Sequence, residues 1–286
     1  MRQLILLLLS VFSLGFTKAE AQDRKLYHEE DSLKVEKYIS FLSDKSSEPA
    51  GEQIISTAKL FLDLPYVAST LEKAPETLVV NLRELDCTTL VETVLALVRT
   101  FQTGGKSFAD YCNTLENIRY RNGKVSYTER LHYIADWKTY NEKKGILKDI
   151  TSGIKGNIKY HLDLSFISSH PNLYKQLESN TEWTAIIREY EKEANQRDYY
   201  YIPKESLDKA SYSIKNGDII GFVTSIKGLD VSHMAFAYWQ DGMLKFIHAS
   251  STEKRVVINR ESLKEYLNKQ SKIKGIWIIR VNDINH

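Results

Sequence analysis

The chain has two cysteines in 286 residues, Cys87 and Cys112, which excludes a small scaffold held by several disulfides and allows one bridge at most. Charge of neither sign is in excess: 39 basic against 37 acidic side chains leave +2, without the basic bias of a nucleic-acid binder. Beyond residue 21 no apolar run is long enough to cross a membrane. Internal repeats and low-complexity tracts are missing too, which argues against a solenoid or a disordered array. The histidines fall into no tight ligand spacing such as His-Glu-x-x-His. A zinc site drawn from His132, His161, His170, His233 or His248 has no motif behind it, and no metal is expected. What is present is an ordinary globular composition, 42% hydrophobic and 27% charged, with seventeen tyrosines that suit either a polar-lined cleft or a tyrosine-rich core.

Residues 1–21 read as an export signal. Arg2 supplies the basic start, residues 4–16 an apolar segment too short to span a bilayer comfortably, and Ala19-Glu20-Ala21 a small-x-small cleavage site. The mature chain then begins at Gln22 and is expected in the periplasm, with no stable membrane insertion. Residues 22–62 form an N-terminal helical segment: 23–46 have helical period with Leu33, Val35, Tyr38, Ile39 and Leu42 as the buried stripe, and a second helix runs over 52–62. Residues 63–286 form the main domain, with an insert at about 105–215. Leu64-Pro65-Tyr66 is an extended entry, and 78–82 a short strand.

Asp86-Cys87-Thr88-Thr89 opens the clearest helix, with Leu90, Val91, Val94, Leu95, Leu97, Val98 and Phe101 at helical spacing and Gly104-Gly105 at its end. Ser126-Tyr127-Thr128-Glu129 has a capping-box pattern, predicting a helix with Arg130, Tyr133 and Trp137 on one face. Residues 181–195 read as helix. From Asn216-Gly217 onward the chain reads as sheet: strands over 218–224, 233–240, 243–250, 255–258 and 275–281, and a short helix over 262–269. Helices first and antiparallel strands later predict an α+β fold.

Two of these features carry chemistry. Asp86 is a good N-cap, so Cys87 sits in the first helical turn, where the dipole favours thiolate. Asp241-Gly242 is a two-residue hairpin signal that pairs Gln240 with Met243. Counting outward, His233, Ala235, His248 and Ser250 share one face, and the two histidines are diagonal neighbours roughly 7 Å apart at the backbone. One imidazole can then orient the other, as a cysteine–histidine site requires, and the histidine is expected to lower the thiol pKa further. Glu92 lies on another face of the helix and reads as a buried structural carboxylate. Cys112 reads as a small buried hydrophobe. A Cys87–Cys112 disulfide would consume the thiol, so none is expected in the active protein.

Pro65-Tyr66, Asp86-Cys87-Thr88-Thr89-Leu90-Val91-Glu92, Gly217-Asp218-Ile219-Ile220, His233-Met234-Ala235-Phe236-Ala237-Tyr238 and Ile247-His248-Ala249-Ser250 occur in this order. Together with Arg119-Tyr120-Arg121-Asn122-Gly123 and Arg130-Leu131-His132-Tyr133-Ile134-Ala135-Asp136-Trp137, the set resembles the NlpC-type superfamily of papain-like cell-wall cysteine hydrolases. The resemblance is closest to the N-acetylmuramoyl-L-alanine-amidase-like branch. It covers the chain from about Pro65 to Val281 and is weak over 147–212.

The resemblance implies a papain-like α+β fold in which a helix-borne cysteine packs on an antiparallel sheet carrying the histidines. It implies Cys87 as nucleophile, His233 as base and His248 as orienting residue, with Tyr66 shaping the oxyanion site. It further implies an amidase that separates muramic acid from L-alanine, prefers anhydro-muropeptides and needs no cofactor. From the insert, Arg121 and Arg130 are candidates for stem-peptide carboxylates, and Tyr120, Tyr133 and Trp137 for stacking on a sugar. Ser232 and Ser250, beside the histidines, complete the candidate contacts. Two rivals stand beside this reading: a γ-D-glutamyl-diaminopimelate endopeptidase with the same Cys87 and His233, and a non-catalytic peptidoglycan-binding module.

Overall fold

The computed structural model describes residues 25–284; the segment 1–21, expected from the sequence to be an export signal, lies outside them. In chain order the helices are α1 (Glu29–Ser43), α2 (Ala50–Lys59), α3 (Cys87–Gln102), α4 (Phe108–Arg119), α5 (Ile134–Lys143), α6 (Phe166–Ser169), α7 (Thr181–Asn195), α8 (Leu207–Ala210) and α9 (Leu263–Lys269). The strands are β1 (Lys25–Leu26), β2 (Leu78–Val79), β3 (Leu147–Asp149), β4 (Ile158–Tyr160), β5 (Tyr199–Pro203), β6 (Ile219–Thr224), β7 (Val231–Gln240), β8 (Met243–Ser250), β9 (Arg255–Ile258) and β10 (Ile273–Val281). The fold is a mixed α+β one. An eight-stranded sheet runs β4-β5-β10-β6-β7-β8-β9, antiparallel at each pairing, with β3 also on β10. Strands β1 and β2 form a separate parallel pair. No helix among the described residues is long and apolar enough to cross a membrane.

The sheet separates two apolar layers, and strand alternation assigns residues to each. Met234, Phe236, Ile247 and Ala249 face the layer that contains α3, while Ala235, Ala237, Leu244 and Phe246 face the one beneath α9. Helix α3 is apolar around most of its circumference, with Leu90, Val91, Val94, Leu95, Leu97 and Val98 all fully buried. Such a helix must be enclosed on several sides. It packs against α1, α2 and α4 as well as β7 and β8. The nucleophile candidate is thus mounted on a helix enclosed on several sides.

Three local expectations fail. Leu33 is 62% exposed, because the α1 stripe runs through Val35, Ile39 and Leu42 at spacings of four and three, and Leu33 falls off it. The capping-box pattern at 126–129 starts no helix: Arg130 N–H bonds back to Ser126 in a turn, Tyr120 and Arg130 bridge as strands do, and α5 begins only at Ile134. The Arg130 guanidinium is drawn inward by Glu72 and Glu76, and that tertiary demand overrides the local pattern. Strands β3, β4 and β5 arise within the polar stretch that gave no strand signal.

The interior also holds a charge pair. Glu92 of α3 accepts from Arg119 of α4 at 2.7 Å, both side chains are 3% exposed, and Arg119 also donates to the Val79 carbonyl at 2.7 Å. Removing one partner leaves the other charge buried and unpaired. Arg119→Ala is expected to lower the free energy of unfolding by about 3–5 kcal/mol in urea titration; a loss below about 1 kcal/mol would show that the pair is not holding α3, α4 and β2 together.

Candidate active site

Cys87 is the first residue of α3, and its position is set by the cap before it. Asp86 Oδ1 accepts the Thr89 N–H and the Thr89 hydroxyl, both at 2.8 Å, and the Asp86 N–H returns to Thr89 Oγ1 at 2.8 Å. The Asp86 carbonyl takes the Leu90 N–H at 3.0 Å. This cap uses the N–H groups of Thr89 and Leu90 and leaves those of Cys87 and Thr88 outside it. The thiol is half-buried and lies 4.0 Å from Thr88 Oγ1. Cys112 is fully buried in the core, and neither cysteine forms a disulfide.

The β7–β8 hairpin turns at Asp241-Gly242, both with positive φ, as a two-residue turn of this hand requires. Gln240 pairs with Met243, and the pairing runs inward to Phe236 with Ile247. Beyond it, His233 and His248 face one another on the α9 side. His233 Nε2 and His248 Nδ1 are 2.7 Å apart, with ring planes nearly perpendicular. Phe222 and Phe246 pack against the two rings, and Tyr266 of α9 covers His248. One pocket is walled by both Cys87 and His233, together with Thr88, His132, Tyr133 and Asp230. A second hollow adjoins it across His233 and is lined by His248, Ser250 and Asn259. No hydrogen bond joins the sulfur to His233; the two side chains face a common space.

The electrostatics reverse one expectation. Burial first, and the neighbouring Asp86 carboxylate second, push the Cys87 thiol up to about 11, although the Met234 backbone and Thr88 favour thiolate. Burial, and then His248, push His233 down to about 3, and burial lowers His248 to about 4. The resting pair is therefore a neutral thiol and a neutral imidazole. Burial and the Asp86 carboxylate outweigh the hydrogen bonds from Met234 and Thr88. His248 Nε2 has no partner in bonded geometry, while the Asn259 side chain stands near enough to favour its charged form.

The family described as AmiA-like, N-acetylmuramoyl-L-alanine amidase-like, matches residues 56–276. The chain belongs to this family. No curated protein matches it. Among solved structures it is similar to an N-acetylmuramoyl-L-alanine amidase from Bacteroides uniformis, with 42% identity over 82% of this chain and 99% of that one and a TM-score of 0.77. A Bacteroides fragilis structure whose name suggests a xylanase is 41% identical over 79% of this chain and 99% of that one, with a TM-score of 0.74. A Legionella pneumophila protein matched to the family model DUF1460 is 26% identical over 88% and 95%, with a TM-score of 0.69.

Within this family member, the candidates from the sequence divide into two groups. Cys87, His233, Tyr133 and Ser232 line the thiol pocket; His233, His248, Ser232 and Ser250 line the adjoining hollow. Tyr66 lies close to Cys87 and Asp86, and burial first, then these two neighbours, raise its hydroxyl pKa. Tyr133 has its hydroxyl engaged elsewhere, donating to Glu191 at 2.8 Å and accepting the Ile167 N–H at 2.9 Å. Tyr120, Arg121, Arg130 and Trp137 line neither space. Trp137 is fully buried, and the Tyr120 hydroxyl donates to Glu76 at 2.9 Å. Arg121 donates to Asp136 at 2.8 Å between the rings of Tyr140 and Tyr190, and Arg130 donates to Glu72 at 2.6 Å. Their reading as substrate contacts is corrected: each guanidinium already has a carboxylate partner, and the aromatics are core.

Sequence reasoning gave Asp230 and Asn259 no role and weighed His132 only as a possible zinc ligand. His132 Nε2 donates to the Tyr127 carbonyl at 2.8 Å, and burial with nearby Arg130 lowers its pKa to about 3. Asp230 is buried, accepts the N–H groups of Ala135 and Val231 at 2.7 Å, and is pushed by burial up to about 6. Among the described residues no group of three or more His, Cys, Asp and Glu side chains is disposed to hold a metal ion.

The raised thiol pKa has a measurable sign. Thiolate is the form that reacts with iodoacetamide, so alkylation of Cys87 in the free protein is expected to accelerate continuously from pH 7 to beyond pH 9. A rate already at its plateau by pH 7 would mean a preformed thiolate–imidazolium pair.

Proposed function

We propose that this protein is a papain-like cysteine amidase of the NlpC-type superfamily, exported to the periplasm, that hydrolyses the bond between N-acetylmuramic acid, in its anhydro form by preference, and L-alanine of the stem peptide. The observation that carries the reading is the common pocket of Cys87, at a capped helix start, and His233, whose Nε2 is held by His248 Nδ1 at 2.7 Å. Family membership supplies the substrate class, peptidoglycan. A xylanase needs two carboxyl groups across the scissile bond; the thiol pocket has one among its lining residues, Asp230.

The steps follow from the neutral resting pair. As the Cys87 sulfur attacks the lactyl carbonyl carbon and the C–S bond forms, the thiol proton passes to His233 Nδ1. For that nitrogen to be free, Nε2 must keep its proton and donate to His248 Nδ1, which places the His248 proton on Nε2 beside Asn259. Positive charge on His233 is thereby shared along the imidazole pair. The oxyanion is met by the N–H groups of Cys87 and Thr88 that the Asp86 cap leaves unused, with Tyr66 alongside. Collapse breaks the C–N bond, and His233 returns its proton to the departing L-alanine nitrogen. Water, deprotonated by His233, then cleaves the thioester and restores the thiol. The raised thiol pKa keeps the sulfur unreactive until a carbonyl is in place.

Incubation with a defined N-acetyl-anhydromuramoyl tripeptide, followed by product mass analysis, tests the reading. The wild type is expected to release a sugar with a free lactyl carboxylate and an intact peptide beginning at L-alanine. Cys87→Ser and His233→Ala are each expected to lose on the order of a thousandfold or more in rate. Cleavage after the γ-D-glutamyl residue would assign the endopeptidase instead, and full binding with no turnover would leave a binding module.

A further inference from the structure

The space around Cys87 is divided by His233 into two hollows of opposite character. The smaller, about 180 Å³, contains the thiol, and its single charged lining residue is Asp230. His132 faces the same space with Nε2 committed to Tyr127, which makes Nδ1 an acceptor. No lysine or arginine lines it. The larger, about 530 Å³, excludes the thiol and carries Arg260, Lys269 and Lys272 against Glu253 and Glu261. Lys269 pairs with Glu261, and Glu253 with Arg255 at 3.7 Å. Arg260 and Lys272 make no ion pair among the described residues.

The chemistry of amide cleavage orients a substrate across this division. The general acid protonates the leaving nitrogen, so the amine half lies on the imidazole's side of the sulfur and the acyl half on the other. We infer that the larger hollow is the leaving-group subsite, where Arg260 and Lys272 receive carboxylates of the stem peptide, and that the smaller hollow takes the uncharged muramoyl half, with His132 Nδ1 as acceptor and Asp230 as the buried charge that disfavours a carboxylate there. The inference rests on the amidase reading and deepens it. The acyl half of a γ-D-glutamyl endopeptidase substrate carries the free α-carboxylate of its glutamyl residue, and the negative charge of Asp230 would disfavour it in the smaller hollow. An N-acetylmuramoyl acyl half carries none. The charge pattern of the two hollows thus sets both the direction of binding and the preferred bond.

The test compares two substrates on the signal-free protein: an N-acetyl-anhydromuramoyl tripeptide with free carboxylates, and the same compound with its carboxylates amidated. The wild type is expected to favour the free acid by about fivefold to tenfold in kcat/KM, the combined worth of two exposed charge contacts, expressed in KM. In Arg260→Gln/Lys272→Gln this ratio is expected to fall to about one. Both positions are exposed, so folding is not at risk, and Lys34→Gln, on α1, should keep the wild-type ratio. Half-molar salt should compress the wild-type preference. A ratio equal in wild type and double variant, with the lactyl-carboxyl sugar still formed, would overturn the subsite alone. If neither substrate yields that sugar from the wild type, the amidase reading falls and the subsite with it.

Discussion

A single hydrogen bond between two neutral imidazoles organises this site. His233 Nε2 and His248 Nδ1 meet at 2.7 Å because a two-residue turn sets the register of β7 and β8, and because the aromatic rings of Phe222, Phe246 and Tyr266 enclose them. The bond decides which nitrogen His233 offers to the thiol pocket. In the proposed mechanism the bond holds the ring so that Nδ1 stays free to take the thiol proton. The enclosing apolar contacts strengthen the bond by lowering the local dielectric, and the same burial depresses both imidazole pKa values. Position and neutrality thus come from one cause.

The other half of the constellation is held just as firmly by different means. Cys87 rides the first turn of a helix that is buried along most of its length and anchored from within by the Glu92–Arg119 pair. The Asp86 cap that fixes the turn also places a carboxylate beside the sulfur and raises its pKa. Capping and thiol activation therefore oppose each other here. The proposed chemistry resolves the conflict by moving the proton only as the carbonyl is attacked, which costs some intrinsic nucleophilicity and protects the thiol from incidental reagents.

The parts of this arrangement that were legible in the sequence are those specified by local chemistry. Asp86 before an apolar helical run places Cys87, and Asp241-Gly242 between alternating strands places His233 and His248 on one face. The parts that were not legible depend on contacts distant in the chain. Arg130 pairs with Glu72 and Glu76, and Arg121 stacks between Tyr140 and Tyr190; nothing near either arginine distinguishes a buried, neutralised guanidinium from one waiting for a substrate. The turn at 126–130 carries a helix-start pattern that the pull on Arg130 overrides. Asp230 and Asn259 belong to no motif and acquire meaning only when the fold brings them beside the histidine pair. The signal that was available for Asp230 is weak: an acidic residue three positions before His233, at the entry to its strand.

The covalent intermediate offers the most direct measurement. Rapid acid quench during the first turnover on an N-acetyl-anhydromuramoyl peptide, followed by digestion and mass spectrometry, identifies both the residue acylated and the group it carries. A thioester on Cys87 bearing the lactyl-linked sugar is expected. An adduct on any other residue, or one on Cys87 bearing peptide in place of sugar, would contradict the proposed roles of the thiol and of the two hollows around His233.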